Sequence, residues 1–262
     1  MKKLNIVIVF AASLLLLSGC KNNAAQQAEI VQEDTTFNRL LWQQYHFPDD
    51  EDEYVYKWNW AYGVRDSLGI EDLDSLAQLS YQFESDYEAH FGGVTSDMVI
   101  GADAYAGAAR FRMLNVYQAL AELMSDTPLG TEANCYFEDF VLWEKVFVEY
   151  ANNYDNEGSI RFIELPMYYK ELADMRTAVL EEELKCLSNG GIDSISKDIK
   201  KEPKWGASDR AICKWYDYRM SMADKLQKVD SRKAQCLREF TYKQVEKLLE
   251  SLKGIGQENP AQ

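Results

Sequence analysis

The side chains with the most distinctive chemistry in this 262-residue chain are its five cysteines. A thiol can form a disulfide, bind a metal as thiolate, or carry a covalent group. One cysteine, Cys20, ends an N-terminal hydrophobic run, and the others are Cys135, Cys186, Cys213 and Cys236. No Cys-x-x-Cys pair occurs and there are only two histidines, so the closely spaced ligands of tetrahedral zinc are missing. The sequence predicts neither a metal site nor a cofactor.

The residues before Cys20 are typical of a bacterial export signal. Lys2 and Lys3 precede a short apolar stretch, 4–17, and small residues follow it. This pattern predicts a secretory signal peptide, since a membrane-spanning helix needs about 20 apolar residues. The tetrapeptide 17–20, Leu-Ser-Gly-Cys, resembles the lipobox of bacterial lipoproteins. That resemblance implies cleavage before Cys20 and acylation of its thiol by fatty acids such as palmitate; the alternative is an ordinary secreted protein in which this cysteine is incidental.

If Cys20 carries lipid, four thiols remain. An even number in an exported protein predicts two disulfides, with three possible connectivities. Cys213 and Cys236 lie on two consecutive predicted helices joined by a short turn near Asp230. Antiparallel packing of these helices would bring the two cysteines together, and closing a loop of about 20 residues stabilises a fold by roughly 3 kcal/mol in the chain-entropy model.

Helical periodicity runs through most of the chain, and no stretch predicts a strand. The aromatic stretch from Tyr54 could alternate as a strand, but Tyr54, Trp58 and Tyr62 are also four residues apart on one helical face, and we favour the helix. The acidic run 49–53 lacks the glycine and spacing of an EF-hand loop, and it suits a solvated loop or a helix start. The predicted helices are 37–42, 54–62, 71–91, 96–124, 137–151, 166–186, 208–229 and 231–253, with a loop at 125–134.

These elements predict an all-α protein, a multi-helix bundle of antiparallel helical hairpins stapled by disulfides. Composition agrees with a folded body, because 47% of the residues are hydrophobic and 13% aromatic. The predicted organisation is a signal peptide (1–19), a flexible tether (20–36), a helical domain (37–191), a linker (192–206), a C-terminal helical hairpin (207–254) and a tail (255–262).

The charge of the chain restricts its partners. It has 28 basic and 43 acidic residues, a net charge of −15. Such a surface repels nucleic acid and attracts a basic partner, although acidity can also serve solubility alone. No catalytic motif of the nucleophile-elbow, Walker or His-Glu-x-x-His type occurs, and His46 and His90 are expected to be surface or cap residues. We expect no enzyme, with a two-carboxylate glycosidase as the formal alternative.

Three stretches share a family pattern: 114–120 (Leu-Asn-Val-Tyr-Gln-Ala-Leu), 215–219 (Trp-Tyr-Asp-Tyr-Arg) and 236–241 (Cys-Leu-Arg-Glu-Phe-Thr). In this order they resemble the opening, middle and close of the LprI-type lysozyme-inhibitor family, small cysteine-containing helical domains of bacterial envelopes. Two positions depart from the family: Cys213 precedes the middle stretch where the family's cysteine follows it, and Gln244 replaces the closing arginine. The segment from Trp143 to Tyr168 roughly parallels 215–241, which suggests a duplicated unit; unrelated periodic helices would look alike too.

Trp215 and Arg219 lie one helical turn apart and are the candidate partner-binding pair. The alternative is a core tryptophan with Arg219 paired to an acid. Together these observations predict a lipid-anchored envelope protein that binds another protein, with a basic lysozyme as the partner that the resemblance implies. An envelope scaffold without inhibitory activity is the alternative. Lys21 after Cys20, where enteric inner-membrane lipoproteins have aspartate, favours the outer membrane; the sequence leaves the leaflet and the facing compartment open.

Overall fold

The computed structural model describes residues 51–255, with gaps at 88–94, 132–133, 153–157, 159, 198–202, 204 and 206–208. The predicted signal peptide, Cys20, the tether and the helix at 37–42 therefore lie outside the described residues. His46 and His90 lie outside them too. The described part of the chain lies within one compact unit that runs from Leu40 to Gln262.

The protein is all-α, as predicted: within the described ranges the chain forms helices and no strand. The helices pack on one another as a bundle. They are α1 (Glu51–Leu68), α2 (Leu73–Tyr87), α3 (Thr95–Leu123), α4 (Pro128–Thr131), α5 (Cys135–Asn152), α6 (Arg161–Ser188), α7 (Arg210–Gln227) and α8 (Ser231–Ile255). No helix in these ranges has the length and apolarity needed to cross a bilayer.

The aromatic stretch from Tyr54 is helical, which confirms the helix interpretation over the strand. Tyr54 and Trp58 are buried in α1, and their rings contact Phe140 and Phe137 of α5 at centroid distances of 6.1 and 5.4 Å. Trp58 also contacts Phe140, at 6.1 Å, so this face of α1 packs against α5. The aromatic face fills the core.

The two longest helices, α3 and α6, form the centre of the bundle and make its most extensive helix–helix contact. The first half of α3 is rich in small residues, and these are fully buried: Ala102, Ala104, Ala106, Ala108 and Ala109. Small side chains let neighbouring helices approach closely. The later turns of α3 carry larger buried residues, among them Arg110, Arg112 and Tyr117.

Two predicted boundaries were wrong. The segment 125–134, predicted as a loop, contains the single turn α4, because the Thr127 hydroxyl accepts a hydrogen bond from the Leu129 N–H (3.2 Å) and Pro128 suits a first helical position. The helix predicted to have Pro166 in its first turn starts at Arg161, which places Pro166 in the second turn. Proline there gives up only the hydrogen bond to the Phe162 carbonyl, and the helix tolerates this loss near its N-terminus.

Helices α7 and α8 form the predicted C-terminal hairpin. Its turn is closed by Asp230, whose Oδ1 accepts hydrogen bonds from the backbone N–H groups of Arg232 and Lys233, both at 3.1 Å. This is an N-cap for α8. The segment that follows α6 contacts the same turn: the Ile192 N–H donates a hydrogen bond to the Arg232 carbonyl (3.1 Å). Gly191 has φ +80°, and a Cβ there would lie 2.4 Å from the Arg232 backbone.

The disulfide joins Cys186 to Cys236, with Cα atoms 6.4 Å apart, so the predicted Cys213–Cys236 pairing was wrong. Cys236 lies six residues after the turn residue Asp230, whereas Cys213 lies 17 before it. At about 1.5 Å per residue this difference places the two cysteines roughly 16 Å apart along the hairpin. The bridge therefore staples α8 to α6.

The expected second disulfide does not form among the described residues: Cys135 and Cys213 are free thiols. They face different surroundings. The Cys135 sulfur is buried 3.8 Å from Lys225 Nζ, and the Cys213 sulfur lies 3.8 Å from a carboxylate oxygen of Asp217. Burial, followed by the Asp217 charge, raises the pKa of the Cys213 thiol.

Candidate functional site

Trp215 and Arg219, the candidate partner-binding pair, are completely buried, each with 0% exposure. The indole Nε1 of Trp215 donates a hydrogen bond to Asp139 Oδ1 (2.5 Å), and its ring meets the ring of Trp143 edge-on at 5.3 Å. A partner protein cannot reach side chains at this depth. The alternative from the sequence, a core tryptophan with Arg219 paired to an acid, describes both residues.

Arg219 connects three helices through its guanidinium group. Nη1 donates to Asp139 of α5 (2.9 Å), Nη2 donates to Glu183 of α6 (2.5 Å), and Nε donates to the Thr241 hydroxyl of α8 (3.2 Å). Burial alone would lower the pKa of Arg219, but the carboxylates of Glu183 and Asp139 outweigh it and hold the pKa well above its ordinary value. The arginine stays charged inside the bundle.

A second arginine, Arg176 of α6, shares the Asp139 carboxylate. Its Nη2 donates to Asp139 Oδ2 (2.9 Å) and its Nε donates to the Tyr117 hydroxyl of α3 (2.9 Å). The guanidinium also lies over the rings of Trp143 and Trp215, at 5.2 and 4.9 Å from their centroids. This is a cation–π arrangement.

We call Asp139, Arg176, Glu183 and Arg219 the buried charge cluster. All four are 0% exposed, and their formal charges cancel. Tyr136 adds a hydrogen bond to the cluster by donating from its hydroxyl to Glu183 Oε1 (3.0 Å), and burial raises the pKa of that hydroxyl well above its ordinary value. Every charge of the cluster is thus paired, as buried charges must be.

The stretches that carry the family resemblance meet at this cluster. Tyr117 comes from the opening stretch, Trp215 and Arg219 from the middle, and Thr241 from the close. Cys236, the first residue of the closing stretch, lies with its sulfur 3.9 Å from the Glu183 carbonyl. Residues up to 124 positions apart in the sequence therefore surround one buried charge centre.

Gln244, the departure from the family's closing arginine, is also fully buried on α8. Its side-chain amide nitrogen and oxygen have no hydrogen-bond partner among the described residues. A neutral amide at this position adds no charge to the interior, where the buried charge cluster is already balanced.

Two further sets of ion-paired residues link α3 to its neighbours, and the first is centred on Arg110. Arg110 of α3 pairs with Glu144 of α5 and donates from Nε to the Tyr169 hydroxyl (2.9 Å), and this group is fully buried too. Burial raises the pKa of Tyr169 well above its ordinary value, so the hydroxyl stays protonated and donates to Glu144.

The outer charge cluster consists of Arg112, Glu84, Lys170 and Asp174, where α2, α3 and α6 meet. Arg112 contacts Glu84 at 2.7 Å and Asp174 at 2.6 Å, and Lys170 contacts Asp174 at 2.7 Å. The Asp174 side chain is 31% exposed and that of Glu84 is 15% exposed. Water therefore reaches the acids of this cluster.

On the outside of the bundle, α5 and α7 form an open groove with a volume of about 490 Å³. We call it the α5/α7 groove. Its apolar lining comes from Leu142 and Val148 of α5 and from Ala211 of α7. Its charged lining is Lys145, Glu149, Arg210 and Lys214.

No described residues form a group of three or more His, Cys, Asp or Glu side chains that could hold a metal ion. Two carboxyl groups in the described part of the chain nevertheless have raised pKa values. Burial raises the pKa of Asp103, in the small-residue half of α3, to about 6. Partial burial, with the nearby Asp74 carboxylate, raises the pKa of Glu181.

Comparison of the chain with protein-family models, with curated proteins and with solved structures found no match. The site is therefore interpreted from its residues. The sequence reasoning missed Asp139, Arg176 and Glu183, and one signal could have found such residues. Arg176 falls on the same helical face as the apolar residues Leu172 and Val179, and a charge within an apolar face indicates a buried ion pair.

Proposed function

We propose that this protein is a lipid-anchored component of the bacterial cell envelope, leaning to the outer membrane, whose helical body binds a basic protein. Cys20 is the anchor, and lysozyme is the partner that the LprI-type resemblance favours. The proposed activity is binding rather than catalysis. Acyl chains contribute about 0.8 kcal/mol per buried CH₂, so more than one chain would hold the body at the membrane durably.

The observation that carries the proposal is the distribution of charge. Among the described residues, four arginines are buried, Arg110, Arg112, Arg176 and Arg219, against three buried acids, Asp139, Glu144 and Glu183. These seven buried residues carry a formal charge of +1, while the whole chain carries −15. The buried arginines are withdrawn from the surface, and the negative charge of the chain would steer a cationic protein toward the bundle.

The α2/α6 acidic region is the pair of exposed acids Asp74 of α2 and Glu181 of α6. Their carboxylates are close enough for Asp74 to help raise the pKa of Glu181. A carboxylate whose ionisation is disfavoured by a neighbouring carboxylate is stabilised in its charged form when a cation approaches. We expect the partner's basic surface to contact this part of the bundle.

The stretches that carry the resemblance contribute polar residues to the buried charge cluster and its surroundings. The family-like stretches are far apart in the sequence, yet their polar residues interlock, as Trp215 with Asp139 and Arg219 with Thr241. A set of residues that must fit together can be shared by proteins whose surfaces differ. We therefore propose that the motif residues serve the fold and that binding specificity belongs to the exposed side chains.

The test uses the purified full-length protein in detergent, titrated into a lysozyme activity assay, with binding measured separately at low and high salt. We expect inhibition and a dissociation constant that rises steeply with salt. The double variant Asp74→Lys/Glu181→Lys should weaken binding more than Glu246→Lys/Glu250→Lys, which changes the net charge equally at two exposed positions of α8. Absence of both binding and inhibition at low salt would refute the lysozyme proposal; binding without inhibition would favour the envelope-scaffold alternative.

Anchoring is tested separately by mass spectrometry of the membrane-extracted protein. We expect an N-terminal peptide that begins with acylated Cys20, and a Cys20→Ala variant that no longer fractionates with membranes. A mature N-terminus elsewhere, without lipid, would support the ordinary secreted protein.

A further inference from the structure

The α5/α7 groove differs in charge from the acidic chain around it. Lys145 of α5 and Arg210 and Lys214 of α7 are exposed and line the same cavity. Arg210 and Lys214 are four residues apart, so they project from one face of α7. With Glu149, the formal charge of the lining is +2, on a chain whose net charge is −15.

The start of α7 strengthens this positive potential. Arg210 is the first residue of an 18-residue helix, so the positive end of the helix dipole lies beside its guanidinium group. The cations and the dipole together favour an anion more than any one of them would alone. Arginine and lysine are the side chains with which proteins bind phosphate.

The apolar lining of the groove indicates a second property of the ligand. Leu142, Val148 and Ala211 give the same groove an apolar lining, and the volume of about 490 Å³ falls within the range of small-molecule sites. An inorganic ion would leave this apolar surface uncovered. A phosphate attached to an apolar body would cover it while meeting the cations.

We propose that the α5/α7 groove binds a phosphate group carried on a small apolar body. A lipid headgroup and a soluble phosphate ester share this chemistry. The inference is independent of lysozyme binding, because its residues lie outside the α2/α6 acidic region. In an anchored protein, a groove that held lipid phosphate would also fix the orientation of the bundle on the membrane.

The test is site-resolved acetylation of lysines in the full-length protein in detergent, read by mass spectrometry. The probe is phenyl phosphate, with benzyl alcohol as the uncharged comparison and inorganic phosphate as the comparison without an apolar body. We expect phenyl phosphate to protect Lys145 and Lys214 in a saturable manner while the exposed Lys185 and Lys228 react unchanged. Equal protection of all four lysines, or protection of none, would overturn the proposal.

The comparisons distinguish what the site recognises. Protection of Lys145 and Lys214 by inorganic phosphate at the same concentration would overturn the role of the apolar lining. Protection of the two lysines by benzyl alcohol would overturn the role of charge. Reconstitution into phosphatidylcholine vesicles with and without phosphatidic acid then separates the sources. Selective protection of Lys145 and Lys214 by phosphatidic acid supports a lipid headgroup; protection by phenyl phosphate alone supports a soluble ester.

A matched pair of variants tests the arginine. We expect Arg210→Gln to weaken phenyl phosphate binding about tenfold, because it removes one charge-assisted contact to phosphate. Arg232→Gln removes the same charge from an exposed arginine elsewhere, at 55% exposure, and should leave the affinity unchanged. Equal losses in the two variants would show a general charge effect and overturn the site.

Discussion

The buried charge cluster and the outer charge cluster are built from the same kind of ion pair, an arginine with carboxylates, at different depths below the protein surface. In the first, Arg219 and its acids are 0% exposed; in the second, the Asp174 partner of Arg112 is 31% exposed. Loss of an arginine leaves dry carboxylates in the first cluster and carboxylates that water can reach in the second. The depth of the acids, rather than the geometry of the pairs, should decide how much each arginine contributes to stability.

The largest effect is expected from Arg219→Met. It leaves Asp139 and Glu183 with less positive charge in a dry interior, and we expect a loss of about 3–5 kcal/mol in the free energy of unfolding, measured by urea titration. Adding Glu183→Gln should recover part of the loss, because it removes one uncompensated carboxylate. If the single variant were as stable as the wild type, the buried charge cluster would not hold the helices together.

The second-largest loss of stability is expected from removal of the disulfide. The double variant Cys186→Ser/Cys236→Ser frees a segment with a sequence separation of 50, and the typical contribution of such a bridge is about 2–4 kcal/mol. The control is Cys213→Ser, a free thiol that is only partly buried, which should change stability by less than about 0.5 kcal/mol. Both are measured by thermal unfolding without reductant. A larger effect of the control would contradict the observed pairing.

Arg112→Met sharpens the comparison of the two clusters. We expect a loss of only about 1–2 kcal/mol, because water can solvate Glu84 and Asp174 when the arginine is gone. The same urea titration as for Arg219→Met provides the measurement. A loss equal to that of Arg219→Met would mean that the exposure of the acids does not matter.

The smallest effect concerns pH. Burial raises the pKa of Asp103 from 3.8 to about 6, so the folded state favours the protonated carboxyl. The free energy of unfolding therefore falls as pH rises between these two values, and the penalty is complete above the higher one. Asp103→Asn should raise the melting temperature at pH 7.5 and leave it nearly unchanged at pH 3.5. An equal change at both pH values would point to packing instead of titration.

The sequence predicted the helices well, because local periodicity determines them. Tyr54 and Trp58 share a face whatever their partners are. The long-range pairings could not be read this way: Trp215 meets Asp139 across 76 positions, and Cys186 meets Cys236 across 50. For Cys213 the reasoning used helix direction alone and neglected distance from the turn. For Trp215 and Arg219 the pattern gave the shared face, but only the packing of α5, α6 and α8 around α7 shows that this face is interior.

The central claim is that the motif residues hold the fold together while exposed residues bind the partner. The most direct measurement compares Trp215→Phe with the wild type for melting temperature and for lysozyme affinity at low salt. We expect a lower melting temperature, since the hydrogen bond to Asp139 is lost, and an unchanged dissociation constant at a temperature where both proteins are folded. A folded Trp215→Phe variant with an unchanged melting temperature and lost affinity would contradict the claim.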